Sequence, residues 1–305
     1  MGVIFVFVDG IGFGKNDKQN PFTNKNLSFF NKISNGSGLT GNFKEIRRPG
    51  LIHLKIDANL DVDGLPQSGT GQTSLFTGVN ASKVIGRHFG PYPHSKIRPL
   101  LKNESIFHKV LSKGYKPHFM NAYPDIFFEK SEKKNRWSCT TLMAKSAGLQ
   151  LNRLDDVIKE RALTAGITQE SWREMLGINI PEITPERAAE RILKVSDEYD
   201  FVLYEYYLTD KAGHKKSEEF AFQVLEKLDR FLFSINERKK EDQVLIVSSD
   251  HGNLENLEVK THTRNPVPLI ISGLSRYSAV NAESITDVCR TILEILDHQQ
   301  GLDKM

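Results

Sequence analysis

Cysteine is nearly absent from this 305-residue chain. Cys139 and Cys289 are the only two and have no CxxC spacing, so a disulfide framework is excluded and a reducing compartment is the simplest setting. Charge of one sign is equally scarce. Against 38 acidic residues stand 41 basic ones, a formal net charge of +3. That balance suits a small anionic substrate and gives no nucleic-acid footprint. Long apolar runs are missing too, since none approaches the ~18 residues a membrane span needs. The first run, Val3 to Val8, has no basic flank and stops at Asp9, unlike a secretory signal. Met1-Gly2 lacks the hydroxyl residue that myristoylation requires, because Val6 stands in its place. These absences predict a cytoplasmic protein with neither membrane nor nucleic acid as partner. There are also no internal repeats.

What is present is ordinary globular composition, 39% hydrophobic and 26% charged, in a chain long enough for one large core plus an insertion. Continuous apolar runs at Val3–Val8, Phe201–Tyr204, Val244–Val247 and Pro268–Ile271 predict buried parallel strands, with weaker candidates at Leu51–Ile56 and Lys116–Asn121. Helical spacing marks Ser105–Ser112, the capped start Thr184-Pro185, Ser217–Ser234 and Ile285–Leu296. Strands alternating with helices predict an α/β fold, a doubly wound and mostly parallel sheet with helices on both faces. Residues 1–125 and 182–305 would form the core. Residues 126–181, which open on the basic run Lys130, Lys133, Lys134 and Arg136, fit the alternation poorly and are expected to form a small helical lid.

Ligands of parallel sheets gather beyond the strands' carboxyl ends, where several acids and imidazoles fall. Asp9 directly follows the first strand. Asp210 and His214 follow the Phe201 strand at i, i+4, which puts both on one side of a helical turn. Asp250 and His251 follow the Val244 strand, and His262 precedes the Pro268 strand. Taken singly, each also fits a helix cap, a surface pair or a turn. Together, three carboxylates and three imidazoles form a donor set for two zinc or manganese ions. Candidate nucleophiles lie in Leu65-Pro66-Gln67-Ser68-Gly69-Thr70-Gly71-Gln72-Thr73. There a helix starting near Thr70 would aim N–H groups at an anion. Spacing alone leaves Ser68, Thr70 and Thr73 open.

At this point the sequence resembles the alkaline phosphatase superfamily, especially the branch of cofactor-independent phosphoglycerate mutase and phosphopentomutase. The likeness covers about residues 1–90 and 198–295 and keeps the family's motif order. Asp9-Gly10 resembles its first metal-binding Asp. Asp210-Lys211-Ala212-Gly213-His214 resembles D-x-x-G-H, and Asp250-His251-Gly252-Asn253 resembles D-H-G-N. His262-Thr263-Arg264-Asn265-Pro266-Val267-Pro268 is similar to H-T-x-N-P-V-P. The register selects Ser68 as nucleophile. The resemblance implies that Asp9, Ser68, Asp250 and His251 hold one divalent cation and that Asp210, His214 and His262 hold the other. Gln72 departs from the pattern, standing where the mutases carry His.

Mutases insert a far larger cap after the nucleophile helix, whereas only about 60 residues remain here for a lid. The expectation is therefore a binuclear Mn²⁺ or Zn²⁺ hydrolase of phosphate mono- or diesters working through a phosphoserine. A phosphomutase acting on a small phosphorylated metabolite is the first alternative, and an inactive anion-binding relative the second. Further anion contacts are expected from Arg87, His88, Lys211 and Arg264.

Overall fold

The computed structural model describes residues 2–273 and 280–303. Nine strands are present: β1 (Gly2–Val8), β2 (Ile46–Arg48), β3 (Leu51–Ile56), β4 (Pro117–Phe119), β5 (Asn121–Ala122), β6 (Leu163–Thr164), β7 (Phe201–Tyr206), β8 (Gln243–Ser248) and β9 (Val267–Ser272). Seven form one sheet in the order β2-β3-β9-β8-β1-β7-β4, and β5 and β6 pair separately. Every residue of β1, β7, β8 and β9 is buried. Alternate side chains of β1 explain why its apolar run is unbroken. Val3, Phe5 and Phe7 enter one core with the helices Ser68–Thr77 and Ile106–Ser112, while Ile4, Val6 and Val8 enter another with Pro185–Ser196 and Glu218–Arg238. Helices thus cover both faces.

The sheet is mixed, which corrects part of the predicted direction. β8, β1, β7 and β4 are parallel neighbours, but β9 runs antiparallel to both β8 and β3, and β2 antiparallel to β3. Five of the seven strands still point one way. A continuous apolar run reports burial on two faces, and helices impose that burial on an antiparallel strand as readily as on a parallel one. The predicted Lys116–Asn121 strand divides between β4 and β5.

The segment 126–181 does not stand apart throughout. Its helix Cys139–Ser146 buries Cys139, Met143 and Ala144 in the main core, whereas Val157, Ala162, Trp172 and Ile180 form a small cluster of their own. Both cysteines are buried thiols. Among the described residues, no helix is long and apolar enough to cross a membrane.

Ser68–Thr77 is a helix buried at every residue despite a sequence rich in hydroxyls and glycine. Its hydroxyls bond back to the preceding turn: Thr73 Oγ1 donates to the Gly69 carbonyl at 2.6 Å, Ser74 Oγ to Thr70 at 2.8 Å, and Thr77 Oγ1 to Thr73 at 2.7 Å. A Cβ at Gly69 would come within 2.4 Å of the Tyr92 carbonyl oxygen, so glycine is required by close packing. Phe76 anchors the helix to the sheet, its ring set edge-on to Phe7 with centroids 5.1 Å apart. Phe76→Ala is expected to cost about 3–5 kcal/mol of unfolding free energy in urea titration. A loss below about 1 kcal/mol would contradict this anchoring role.

Candidate metal centre

The central neighbours β8, β1 and β7 deliver the acids. Asp9 follows β1, Asp210 lies in the first turn of the helix Leu208–Lys215 after β7, and Asp250-His251 follows β8. His262 precedes β9. Local packing forces this convergence. Gly10 has φ +74°, and a Cβ there would sit 2.9 Å from the Asp210 Cα. The Thr209 hydroxyl donates to the Asp9 carbonyl at 2.5 Å, tying the β1 and β7 ends together.

Two trios place their ligand atoms within 4.8 Å of one another: Asp9, Asp250 and His251, and Asp210, His251 and His262. Ser68 Oγ lies 3.0 Å from His251 Nε2. That nitrogen is 3.3 Å from Asp9 Oδ1 and 3.5 Å from Asp250 Oδ2. In the second group, Asp210 Oδ2 is 3.3 Å from His214 Nε2, and Asp210 Oδ1 is 3.4 Å from His262 Nε2. The His251 and His262 rings stack with centroids 3.8 Å apart.

The donor chemistry fits divalent cations. Asp9 Oδ1 and both Asp250 oxygens are buried without a hydrogen-bond partner, which is costly unless a positive charge faces them. Nδ1 of His262 lies 2.6 Å from the Pro66 carbonyl oxygen, and Nδ1 of His214 lies 2.6 Å from that of Lys260. If each Nδ1 carries its proton to that carbonyl, the two Nε2 lone pairs face each other at 3.1 Å. That arrangement asks for a cation or for extra protons, and carbonyl-oriented imidazoles are the usual support of metal-ligating histidine.

Ionisation behaviour agrees. Burial, followed by Asp250 and Asp210, pushes the Asp9 carboxyl well above the usual range. Burial, then Asp210, pushes Asp250 up to about 7. Burial and then the His262 charge hold His251 down to about 3. For Asp210 burial pulls upward, but the hydrogen bonds from His214 and His262 outweigh it and leave its pKa lowered.

Thr70 and Thr73 spend their hydroxyls on the Gln67 and Gly69 carbonyls, so of the three candidate nucleophiles only Ser68 faces the cluster. The helix begins at Ser68, and the Thr70 N–H goes to the Phe89 carbonyl at 2.8 Å rather than toward an anion. Gln72 Nε2 donates to Asp9 Oδ2 at 3.0 Å. Of the four expected anion contacts, Lys211 lines the adjoining cavity. Arg87, His88 and Arg264 do not. Arg87 lies over the Phe89 ring, and His88 sits between the Ser82 hydroxyl and the Val62 carbonyl.

Two buried acids around the site, Glu255 and Glu205, escaped the sequence reading. Glu255 accepts from the Asn253 N–H at 2.8 Å and from Asn265 Nδ2 at 2.9 Å, and it also bonds the Thr263 hydroxyl. It thereby clamps the loop carrying Asp250 and His251 to the loop carrying His262. Glu205, on β7, accepts from Thr140 Oγ1 at 2.7 Å and is pushed up to about 7 by burial. A lone acid inside the apolar Phe201–Tyr206 strand was a usable signal. Glu255 gave none, because Asn253-Leu254-Glu255 looks like ordinary loop.

Beside Ser68, Asp9 and Asp210 opens a cavity of about 540 Å³. Residues 121–124, Phe127 and parts of 165–176, Trp172 and Met175 among them, wall it with Tyr92, Tyr207 and Leu208.

Fold and site together define an α/β protein whose strand ends gather a candidate centre for divalent cations. The model of the Metalloenzyme superfamily matches residues 1–300, and the chain belongs to that superfamily. It is 32% identical over 129 residues to the 2,3-bisphosphoglycerate-independent phosphoglycerate mutase of Ehrlichia canis, covering 38% of this chain and 26% of that one. Against 2,3-bisphosphoglycerate-independent phosphoglycerate mutase 1 of Methanocaldococcus jannaschii it is 25% identical over 213 residues, 63% of this chain and 49% of the relative. The chain thus spans between about a quarter and a half of the length of these relatives. Its fold is similar to alkaline phosphatase from the Antarctic bacterium TAB5, with TM-score 0.56 and 12% identity over 97% of this chain and 98% of that one. The two sequence relatives are named as mutases and the structural neighbour as a phosphatase.

Two outcomes follow from the site. Glu255→Ala is expected to weaken Mn²⁺ binding about 10- to 100-fold in calorimetric titration, and unchanged affinity would refute the clamp. The second concerns pH. Asp250, His214 and His262 have raised folded pKa values, so their contribution is present at low pH and lost as pH rises through those values. His251, held down to about 3 in the fold, acts in the opposite sense, and its effect levels off above its unfolded value of about 6.5. Metal-free protein should therefore lose thermal stability as pH rises through about 7, the folded value of Asp250, and the gain from added Mn²⁺ should grow over that rise. Melting curves with chelator and with Mn²⁺ check this, and parallel curves would count against it.

Proposed function

We propose that the chain transfers a phosphoryl group through Ser68. The observation that carries this reading is the Ser68 hydroxyl 3.0 Å from His251 Nε2, among buried carboxylate oxygens that lack partners. Asp9, Ser68, Asp250 and His251 would hold one cation, and Asp210, His214 and His262 the other. His251 lies within reach of both trios, but one Nε2 offers one lone pair. His214 therefore completes the second set and leaves His251 to the first. When bound, two Mn²⁺ or Zn²⁺ ions would favour the serine alkoxide and offset charge on the phosphoryl oxygens.

Ser68 Oγ attacks phosphorus in line. The new Oγ–P bond forms as the ester P–O bond breaks, and the serine proton leaves with the departing alcohol. Asp9 is oriented for its part by the Gln72 amide, which occupies Oδ2 and leaves Oδ1 toward the centre. The phosphoserine then passes its group on. The curated relatives favour return to a hydroxyl of the bound metabolite, a mutase. Transfer to water is the second reading, supported by the exposed cavity rim, where Met175 is 73% and Tyr207 45% exposed. In either reading, the part of 126–181 that walls the cavity acts as the lid that sets the choice.

Ser68→Ala is expected to lower turnover about a thousandfold or more and to abolish phosphate on the peptide carrying Ser68, with metal content retained. Full activity in that variant sinks the proposal. Product analysis separates the acceptors: isomerised ester without free phosphate means a mutase, free phosphate a hydrolase.

A further inference from the structure

The cavity's lining has two kinds of chemistry, an acidic pole and an aromatic wall. The wall is aromatic: Tyr92, Tyr123, Phe127, Trp172 and Tyr207 all line it. These rings are held in place. Tyr123 stacks on Phe127 with centroids 4.2 Å apart, and Phe127 meets Trp137 edge-on at 6.0 Å. Arg136 lies 3.9 Å over the Tyr92 ring, so that guanidinium braces a ring rather than lining the cavity. Trp172 is buried in the small cluster with Val157 and Ile180.

Charge along the lining points the same way. Three acidic side chains line the cavity, Asp9, Glu205 and Asp210, against one ammonium, Lys211. Two of those acids belong to the proposed metal ligands. A phosphoryl group placed there is matched by the cations. A second anionic group in the same cavity would share it with Glu205 and aromatic faces and find one cationic side chain, Lys211, among the lining residues. A volume of about 540 Å³ is ample for a phosphate ester bearing one or two rings.

We infer that the substrate's alcohol is an apolar, ring-bearing group without a second anionic substituent, seated on the wall formed by Tyr123, Phe127, Trp172 and Tyr207. The inference rests on the phosphoryl-transfer reading for the location of the phosphate but not on the acceptor. Rings stacked on a fixed wall gain apolar burial and face contacts without losing much rotamer freedom. A compact polyanion such as 3-phosphoglycerate gains neither, and its carboxylate has a single lining ammonium, Lys211, to match it.

Binding of inert phosphonates tests it on the Mn²⁺-loaded full chain by calorimetry. Naphthylmethylphosphonate should bind at least about tenfold tighter than methylphosphonate, and 3-phosphoglycerate should bind no tighter than methylphosphonate. Tyr207→Ala, a substitution at the exposed rim, should shrink the aryl advantage several-fold, while Tyr207→Phe should keep it. Equal affinities for the two phosphonates, failure of the aryl phosphonate to bind, or preference for 3-phosphoglycerate overturns the inference. If the aryl preference holds but no phosphoserine forms with aryl phosphates, the phosphoryl-transfer reading fails and the cavity's preference stands.

Discussion

Mutual repulsion among Asp9, Asp210 and Asp250 is the constraint around which the molecule is arranged. Three carboxylates at the ends of adjacent strands share one buried space, and their nearest titratable partners are imidazoles rather than lysine or arginine. Left alone, such a cluster would relax by moving apart or by taking up protons. The structure blocks the first route. Thr209 ties Asp9 to the β7 end, Asn253 Nδ2 donates to Asp210 Oδ1 at 2.6 Å, and Glu255 joins the two histidine loops. The second route is visible in the raised values of Asp9 and Asp250. A rigid anionic cage with orphaned oxygens and inward imidazole nitrogens is a cation receptor before it is anything else.

That cage also explains why the framework behind it is so apolar. Holding like charges together destabilises the fold by several kcal/mol in order of magnitude, and this is offset by burial on both faces of the sheet. β1 is completely buried and lies between β7 and β8, hydrogen-bonded to both. The strands carrying the acids are therefore the ones least free to shift. The hydroxyl-rich helix of Ser68 follows the same logic, since its internal side-chain bonds let it lie fully buried and present one hydroxyl, Ser68, to the site.

Much of the centre was legible in the sequence because its signals are local. An unbroken apolar run that stops at an acid, as at Val8-Asp9, marks both a buried strand and the end where ligands gather. The i, i+4 pair Asp210 and His214 carried its geometry in its spacing. Strand direction was not local: nothing in Val267–Ser272 tells whether its neighbours run with it, because helices on both faces give the same pattern either way. Glu255 was illegible for a related reason, its role being to join Asn253, Thr263 and Asn265 through space. The charge-based expectations for Arg87, His88 and Arg264 went unmatched at the cavity because a cation's sequence position does not say what it faces. Arg87 faces a phenylalanine ring.

Gln72 shows how a single departure from a family pattern can be understood physically. An imidazole beside Asp9 would bring a second titrating group and a competing lone pair into a cluster already dense with both. The amide donates one hydrogen bond to Asp9 Oδ2 and stays neutral at every pH of interest. It fixes the carboxylate's rotation without altering the charge count, so Oδ1 remains directed at the centre. The acidic pole comes from strand ends and the Ser68 helix, whereas most aromatic lining residues come from elsewhere in the chain. Tyr207 is the exception, because it caps the helix that carries Asp210. Tyr123 and Phe127 brace one another rather than a ligand, so substitution of that pair is the change of lining that least disturbs the strands holding the acids.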